Sequence, residues 1–326
     1  MTGISDQFVV IGNEAVAWGT RAATLTRGIE AVPTGKPAPR VEHRPSRGFR
    51  PGRLGDPTDT HVVDVRGGTY PLEFDLLSKS HSMVLSAAGS VAITTPGGAT
   101  NARLHTITPS DYSLPSTTIQ DAVALADGTL DYIDYLGAKL TQLGFAISPK
   151  GNVVVKADYD YKTIDTAASA ATPSYASSPY VFRDTDVTTT LGGTEVCQRT
   201  IDVTIPTGAK VDRDRICAGG REEPTVVGRV QPTGTLSVDM TSVSYLNDWV
   251  AGTSRSLVID IRGAADGIES GHEFACKLTF PAVKFTGDAY GRSLDDLTEQ
   301  PLPWQAFDNG TDPLWKIEYV TTDTAI

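Results

Sequence analysis

Apolar and polar residues alternate along much of this chain with the period of two that sends successive side chains to opposite faces of a strand. Ile201-Asp202-Val203-Thr204-Ile205 alternates without a fault. Leu72, Phe74 and Leu76 do the same around residues 70–75, where Gly67-Gly68-Thr69 opens the run. Leu140, Leu143, Phe145 and Ile147 alternate imperfectly within the long run 137–147, and Val153 to Val155 begins another that continues through Tyr161. Ser148-Pro149-Lys150-Gly151-Asn152 between these two has turn composition, so they are predicted to form a hairpin. Further strands are predicted at 116–120, 234–240, 277–285 and 314–320. Helical stretches are short, at 76–88 and 243–251. The expected fold is mainly β, a sandwich or barrel with short helices.

The pattern breaks at two places. Residues 33–60 carry Pro33, Pro37, Pro39, Pro45, Pro51 and Pro57 and read as a long irregular loop. The loop also holds Arg40, Arg44, Arg47, Arg50 and Arg53 against few acids, chiefly Glu42. Residues 166–182 are poor in charge and rich in Ala, Ser and Pro, and read as a linker. The expected organisation is a first β unit at 1–165 containing the loop, the linker at 166–182, and a second β unit at 183–326. The units echo each other. Gly68-Thr69, strand, helix and Ala87-Ala88-Gly89-Ser90 resemble Gly234-Thr235, strand, helix and Ala251-Gly252-Thr253-Ser254; Gly137-Ala138-Lys139-Leu140-Thr141 resembles Ala275-Cys276-Lys277-Leu278-Thr279. Common β-sheet dipeptides explain such echoes as well as an ancient duplication does.

Composition narrows the function. The 326 residues are 40% hydrophobic and 21% charged, which suits a folded globular chain with ample core. A net charge of −11 argues against gripping nucleic acid, because affinity for phosphates comes from Lys and Arg. Three cysteines without a C-x-x-C pair suggest buried free thiols rather than disulfides or zinc. The first residues lack the charged and apolar regions of a secretory signal, and no run approaches the ~20 apolar residues of a membrane helix. Synthesis in a cytoplasm and no membrane insertion are therefore expected.

Catalytic motifs are wanting. His272-Glu273 lacks the second His of a zinc protease, since position 276 is Cys276. There is no Gly-x-Ser-x-Gly elbow. Pro96-Gly97-Gly98 and Ala218-Gly219-Gly220-Arg221 lack the Gly-Lys-Ser/Thr of a phosphate cradle. Asp127-Gly128-Thr129-Leu130-Asp131 is half a calcium loop without its closing Glu. No catalytic, cofactor-binding or metal-binding residue is assigned, and the chain is not expected to be an enzyme.

One ordered set of motifs does point somewhere. Ala17-Trp18-Gly19-Thr20, the Gly67-Gly68-Thr69 strand, a short helix, His105-Thr106-Ile107-Thr108-Pro109, the 137–147 strand and Pro232-Thr233-Gly234-Thr235-Leu236-Ser237-Val238 follow in an order that resembles the tail tube (major tail) proteins of long-tailed bacteriophages. The charged 206–224 segment is less typical of them. The resemblance implies a virion protein that associates with itself in rings, and rings that stack into a hollow conduit for viral DNA. It implies sixfold rings, or threefold rings with pseudo-sixfold symmetry if the units are duplicates. Other tail proteins are implied partners, and double-stranded DNA a transient cargo without specific binding. A long loop after the first strand reaches between rings in that family, which makes Arg40, Arg44, Arg47, Arg50 and Arg53 candidate inter-ring contacts. An acidic bore repels DNA over a Debye length of roughly 8 Å, and Asp158, Asp160 and Glu318 are the candidate acids. The competing expectation is a β-sandwich capsid decoration or surface adhesin.

Overall fold

The computed structural model describes residues 7–32, 36–46, 61–110, 112–212, 216, 221–240, 243–287 and 299–326. The strands β1 (Phe8–Asn13), β2 (Arg27–Ile29), β3 (Ala31–Val32), β4 (Ala38–Pro45) and β5 (His61–Asp75) precede helix α1 (Ser82–Ser86). The first half continues through β6 (Ser90–Thr94), β7 (Arg103–Thr108), β8 (Thr117–Ala124), β9 (Leu130–Ile147), β10 (Val154–Tyr161) and β11 (Thr163–Asp165). The second half holds β12 (Val187–Leu191), β13 (Thr194–Val196), β14 (Gln198–Pro206), β15 (Ala209–Lys210), β16 (Thr225–Val226) and β17 (Thr233–Asp239) before helix α2 (Ser244–Ala251). The strands β18 (Arg255–Arg262), β19 (Ala275–Phe285), β20 (Glu299–Ala306) and β21 (Lys316–Thr321) complete it. The protein is mainly β, as its alternation predicts.

Every strand pair is antiparallel among the described residues, and one large sheet bends around a single core. Its longest strand explains the bend. The C-terminal part of β9 pairs with β10 on one side and β14 on the other, while its N-terminal part pairs with β8 and β11. One stretch of chain therefore joins the β2-β1-β8 strands to the first of two packed layers, and β19 pairing with β20 joins that layer to the second. The first layer runs β5-β10-β9-β14-β17-β20; the second contains β12-β18-β19-β21-β7-β6. Between them lie Phe74, Phe145, Tyr159, Phe280, Trp304, Trp315 and Tyr319, all fully buried. Each large apolar side chain so buried contributes ~1.5–3 kcal/mol.

The two halves repeat one order of pairing. β5 pairs with β10 and β10 with β9; β17 pairs with β20 and β20 with β19. A helix follows β5 and β17 alike. The Gly-Thr echo lands on matching places. Gly68 lies opposite Tyr161 and Gly234 opposite Trp304 across the ladder, and a Cβ at either glycine would sit 2.3 Å from the Tyr161 hydroxyl or 2.6 Å from the Trp304 ring. Each aromatic covers the glycine it faces. The Lys-Leu-Thr echo does not match: Lys139 pairs with Asp160 of β10, whereas Lys277 pairs with Glu318 of β21.

Several elements differ from expectation for local reasons. The 76–88 stretch is helical only over Ser82–Ser86. The Leu76 N–H donates to the Val153 carbonyl, the Leu77 N–H to His81 Nδ1 (3.0 Å), and Ser80 takes a positive φ, so the first turn is lost. Within the supposed loop 33–60, β4 is a strand paired with residues 61–69 of β5. Pro39 is accommodated at a register shift and Pro45 at the strand's end, positions where proline costs little on an edge. Residues 166–182 hold only isolated bridges, Arg27 with Ser174 and Leu77 with Val181, yet Phe182 is fully buried. Cys276 is buried, which pushes its thiol up to about 12, but Cys197 is exposed, contrary to the expected burial. The half-calcium loop is a turn in which Asp127 accepts from the Thr129 N–H and hydroxyl.

A tyrosine cluster lies beneath β5 and β8. Tyr70 and Tyr161 flank Tyr135 at 4.8 and 5.0 Å, and the Tyr70 hydroxyl donates to Asp121 (2.5 Å). Burial pushes the Asp121 carboxyl up to about 6, against the pull of the Tyr70 hydrogen bond. An unfolded Asp titrates near ~3.9. Between these values the folded chain holds a proton that the unfolded chain lacks, so the contribution of this group to stability falls as pH rises from about 4 to about 6. Asp121→Asn is expected to raise stability at pH 7 by up to ~3 kcal/mol and to leave it nearly unchanged at pH 4. Urea unfolding of both proteins at the two pH values checks this; an equal difference at both would contradict it.

Candidate assembly surfaces

The outward face of the first layer is polar by alternation. On β10, Val155, Ala157 and Tyr159 point into the core, so Lys156 and Asp158 point away from it. The register sets Lys156 opposite Glu73 of β5 and Gly144 of β9, and Ala146 of β9 opposite Asp202 of β14. Glu73, Asp158 and Asp202 therefore line one shallow groove with Lys156, Gln142 and Thr204. Three carboxylates against one ammonium make this face acidic. Small residues at its centre, Gly144 and Ala146, keep it smooth. Burial pushes the Asp158 carboxyl above its ordinary value, opposed by Lys156.

The other two acids expected to share this role sit elsewhere. Asp160 is buried against Arg221, with side-chain exposures of 2% and 3%. Its strand has run under the 221–224 segment by then, where Lys139 Nζ also meets Glu223 (2.6 Å) and the Pro224 carbonyl (3.1 Å). Glu318 lies on β21 in the second layer, between β19 and β7, and pairs with Lys316 (3.1 Å). Neither shares a surface with Asp158. Glu73 and Asp202 are absent from the sequence-based set because only the cross-strand register brings them beside Asp158.

The second surface is the β4–β5 arm. Beyond Gly68 the two strands pair only with each other among the described residues, and nearly every side chain is exposed. Its two faces differ. Val41, His43 and Pro45 lie opposite Val65, Val63 and His61, and the two imidazoles stack at 5.1 Å. The reverse face carries Glu42 opposite Asp64 and Arg44 opposite Val62. Arg40 and Arg44 both pair with Glu42 (3.3 and 2.5 Å), and Arg66 with Asp64 (2.7 Å). The Arg44 hydrogen bond is the largest influence holding the Glu42 carboxyl below its ordinary value. Arg47, Arg50 and Arg53 lie outside the described residues. The arm thus has an apolar face and a charged face, and a two-stranded ribbon of this kind is marginal in water unless something covers it.

An acidic sheet face and a β4–β5 arm that is exposed among the described residues are surfaces through which a β protein can associate. The comparison with known families agrees: residues 4–306 match the model of the family described as phage tail tube protein, and the chain belongs to that family. No curated protein matches it. It is a structural tail tube protein of the virion tail, from a family that is not enzymatic. No helix among the described residues is long and apolar enough to cross a membrane.

Proposed function

We propose that copies of this chain close into rings and that the rings stack into a hollow tube carrying double-stranded DNA from virion to host. The observation that carries this reading is the acidic outer face of the β5-β10-β9-β14-β17-β20 layer. It crosses both halves of the chain without a break, as the wall of a bore requires. Glu73, Asp158 and Asp202 face the passing duplex and repel it, so DNA finds few sticking points. The repeated pairing order of the halves supports an ancient duplication, in which one chain supplies two wall segments. Three copies then make a ring with pseudo-sixfold symmetry. The β4–β5 arm, including Arg40 and Arg44, reaches the adjacent ring, where its arginines exchange partners with acids of another copy. Stacking of this kind is head-to-tail, the geometry that yields filaments.

Electron microscopy of the concentrated protein tests the reading. Hollow filaments of uniform diameter support it, and discrete particles at every concentration refute it. The bore also makes its own prediction. Tubes built from a Glu73→Lys, Asp158→Lys, Asp202→Lys variant are expected to retain DNA that wild-type tubes do not, with retention falling steeply between 50 and 200 mM salt, roughly 10³-fold if six or more phosphates are neutralised. Equal DNA retention by the two tubes at low salt would place these acids away from the bore.

A further inference from the structure

The helix α2 is built inside out. A surface helix normally turns its apolar side to the core and its polar side to water. Here the only buried residue is Asp248, whose carboxylate accepts from Arg255 Nε (2.6 Å). Val250 is 76% exposed, Val243 at the N-cap 54% and Trp249 38%. Val243, Leu246 and Val250 recur at the three-to-four-residue spacing of one helical stripe, and Trp249 flanks it. Tyr245 is the residue that holds the helix down, meeting Phe285 of β19 edge to face at 5.9 Å.

Its counterpart in the first half is the opposite. All five residues of α1 are buried. The turn leading into α1 and its first residue are tied down from within the same chain by the last strand of the second half and the tail beyond it. Tyr319 donates to the Leu77 carbonyl (2.6 Å), Thr321 to the Ser78 carbonyl (2.8 Å), and Asp323 accepts from the Ser80 N–H (2.8 Å) and the Ser82 hydroxyl (3.1 Å). The start of the helix after β5 is therefore held by the half that follows it in the chain. The helix after β17 has no comparable cover among the described residues, and Val250 and Val243 stay exposed.

We infer that α2 is sealed by the first half of the next copy in the ring, so that the contact between copies repeats the contact between halves. The apolar stripe Val243-Leu246-Val250 with Trp249 is then the covered surface, and the occupant is a second copy of this chain. This rests on the ring reading above, but it selects a particular surface that the ring reading leaves open. The exposed stripe is what a pseudo-repeated ring demands of its second unit: apolar where the neighbour sits, with Tyr245 left to anchor the helix to its own core.

The test is Val250→Asp in the full chain, with Val250→Leu as its conservative partner. Val250 touches little in the single chain, so both variants are expected to melt like wild type. Val250→Asp is expected to raise the concentration needed for tube growth at least about tenfold, the effect of losing ~1.4 kcal/mol per contact, while Val250→Leu leaves it unchanged. Trp249 is the most exposed of the described tryptophans by its surroundings, and its quenching by acrylamide is expected to fall on assembly; Trp249→Phe should remove that change. Tubes growing from Val250→Asp at the wild-type concentration, with Trp249 still quenched in them, would overturn the inference and leave the tube reading standing. Wild-type protein that forms no tubes at any concentration would instead remove the reading beneath it.

Discussion

Replacing Asp160 by alanine is expected to cost about 3–5 kcal/mol of folding stability, the penalty for stranding one partner of a buried ion pair. Arg221 has almost no access to water. It also donates to the Tyr161 carbonyl and lies 5.4 Å from the Trp18 ring, so it cannot swing out without giving up those contacts as well. With the carboxylate gone, the guanidinium stays desolvated and uncompensated. The loss has a second consequence. Arg221 and Glu223 pin the segment after β15 to the first half, through Asp160 and Lys139. Freed of that anchor, the 221–224 segment should become an early site of proteolysis. Removing both charges with apolar side chains of similar size is expected to recover most of the stability, because the pair is costly to bury and its net contribution is small. Urea unfolding of the single and double variants measures this; a loss below about 1 kcal/mol for Asp160→Ala would mean that the pair is open to solvent.

The largest effect on assembly is expected at the arm. Val63→Asp with Val65→Asp should leave the subunit folded and abolish stacking. Both side chains are about half exposed in the single chain, so charging them costs the fold little. They lie together on the apolar face, opposite His43 and Val41. Covering the exposed half of a valine contributes ~0.7–1.5 kcal/mol, and two such losses raise the threshold for tube growth by roughly 10 to 10²-fold. Buried unpaired carboxylates would add to that. Arg44→Ala is expected to do less, because its partners Glu42 and Asp64 lie on the same arm and the pair is exposed. Sedimentation of each variant against wild type gives the comparison. Normal stacking of the double-Asp variant would show that the arm's apolar face stays in water.

How much of this was legible beforehand depended on how local the signal was. The β9–β10 hairpin could be read because its turn, its alternation and its partner strand lie within 32 consecutive residues. The strand β4 could not, because prolines mark it as irregular and its partner β5 lies on the far side of residues 47–60. Proline forbids a central strand but not an edge, and nothing in the local sequence says which a segment will be. Asp158 and Asp160 are two apart on β10 and so share one side of the strand. That spacing could not say that Arg221, far along the chain, covers only the second of them. The same limit hid Glu73 and Asp202, which register alone brings beside Asp158. α2 was predicted as a helix, but its inversion is visible only once Asp248 is seen turned inward and Val250 outward.

The central claim is that the polar face of the six-stranded layer lines a bore shared by many copies. A cryo-electron map of the assembled tail tube tests it most directly. The account predicts β5, β10, β9, β14, β17 and β20 around the lumen, with Glu73, Asp158 and Asp202 pointing at the axis and α2 hidden between neighbours. A map in which that face meets the outside of the tube, or in which the lumen is lined by basic side chains, would contradict it.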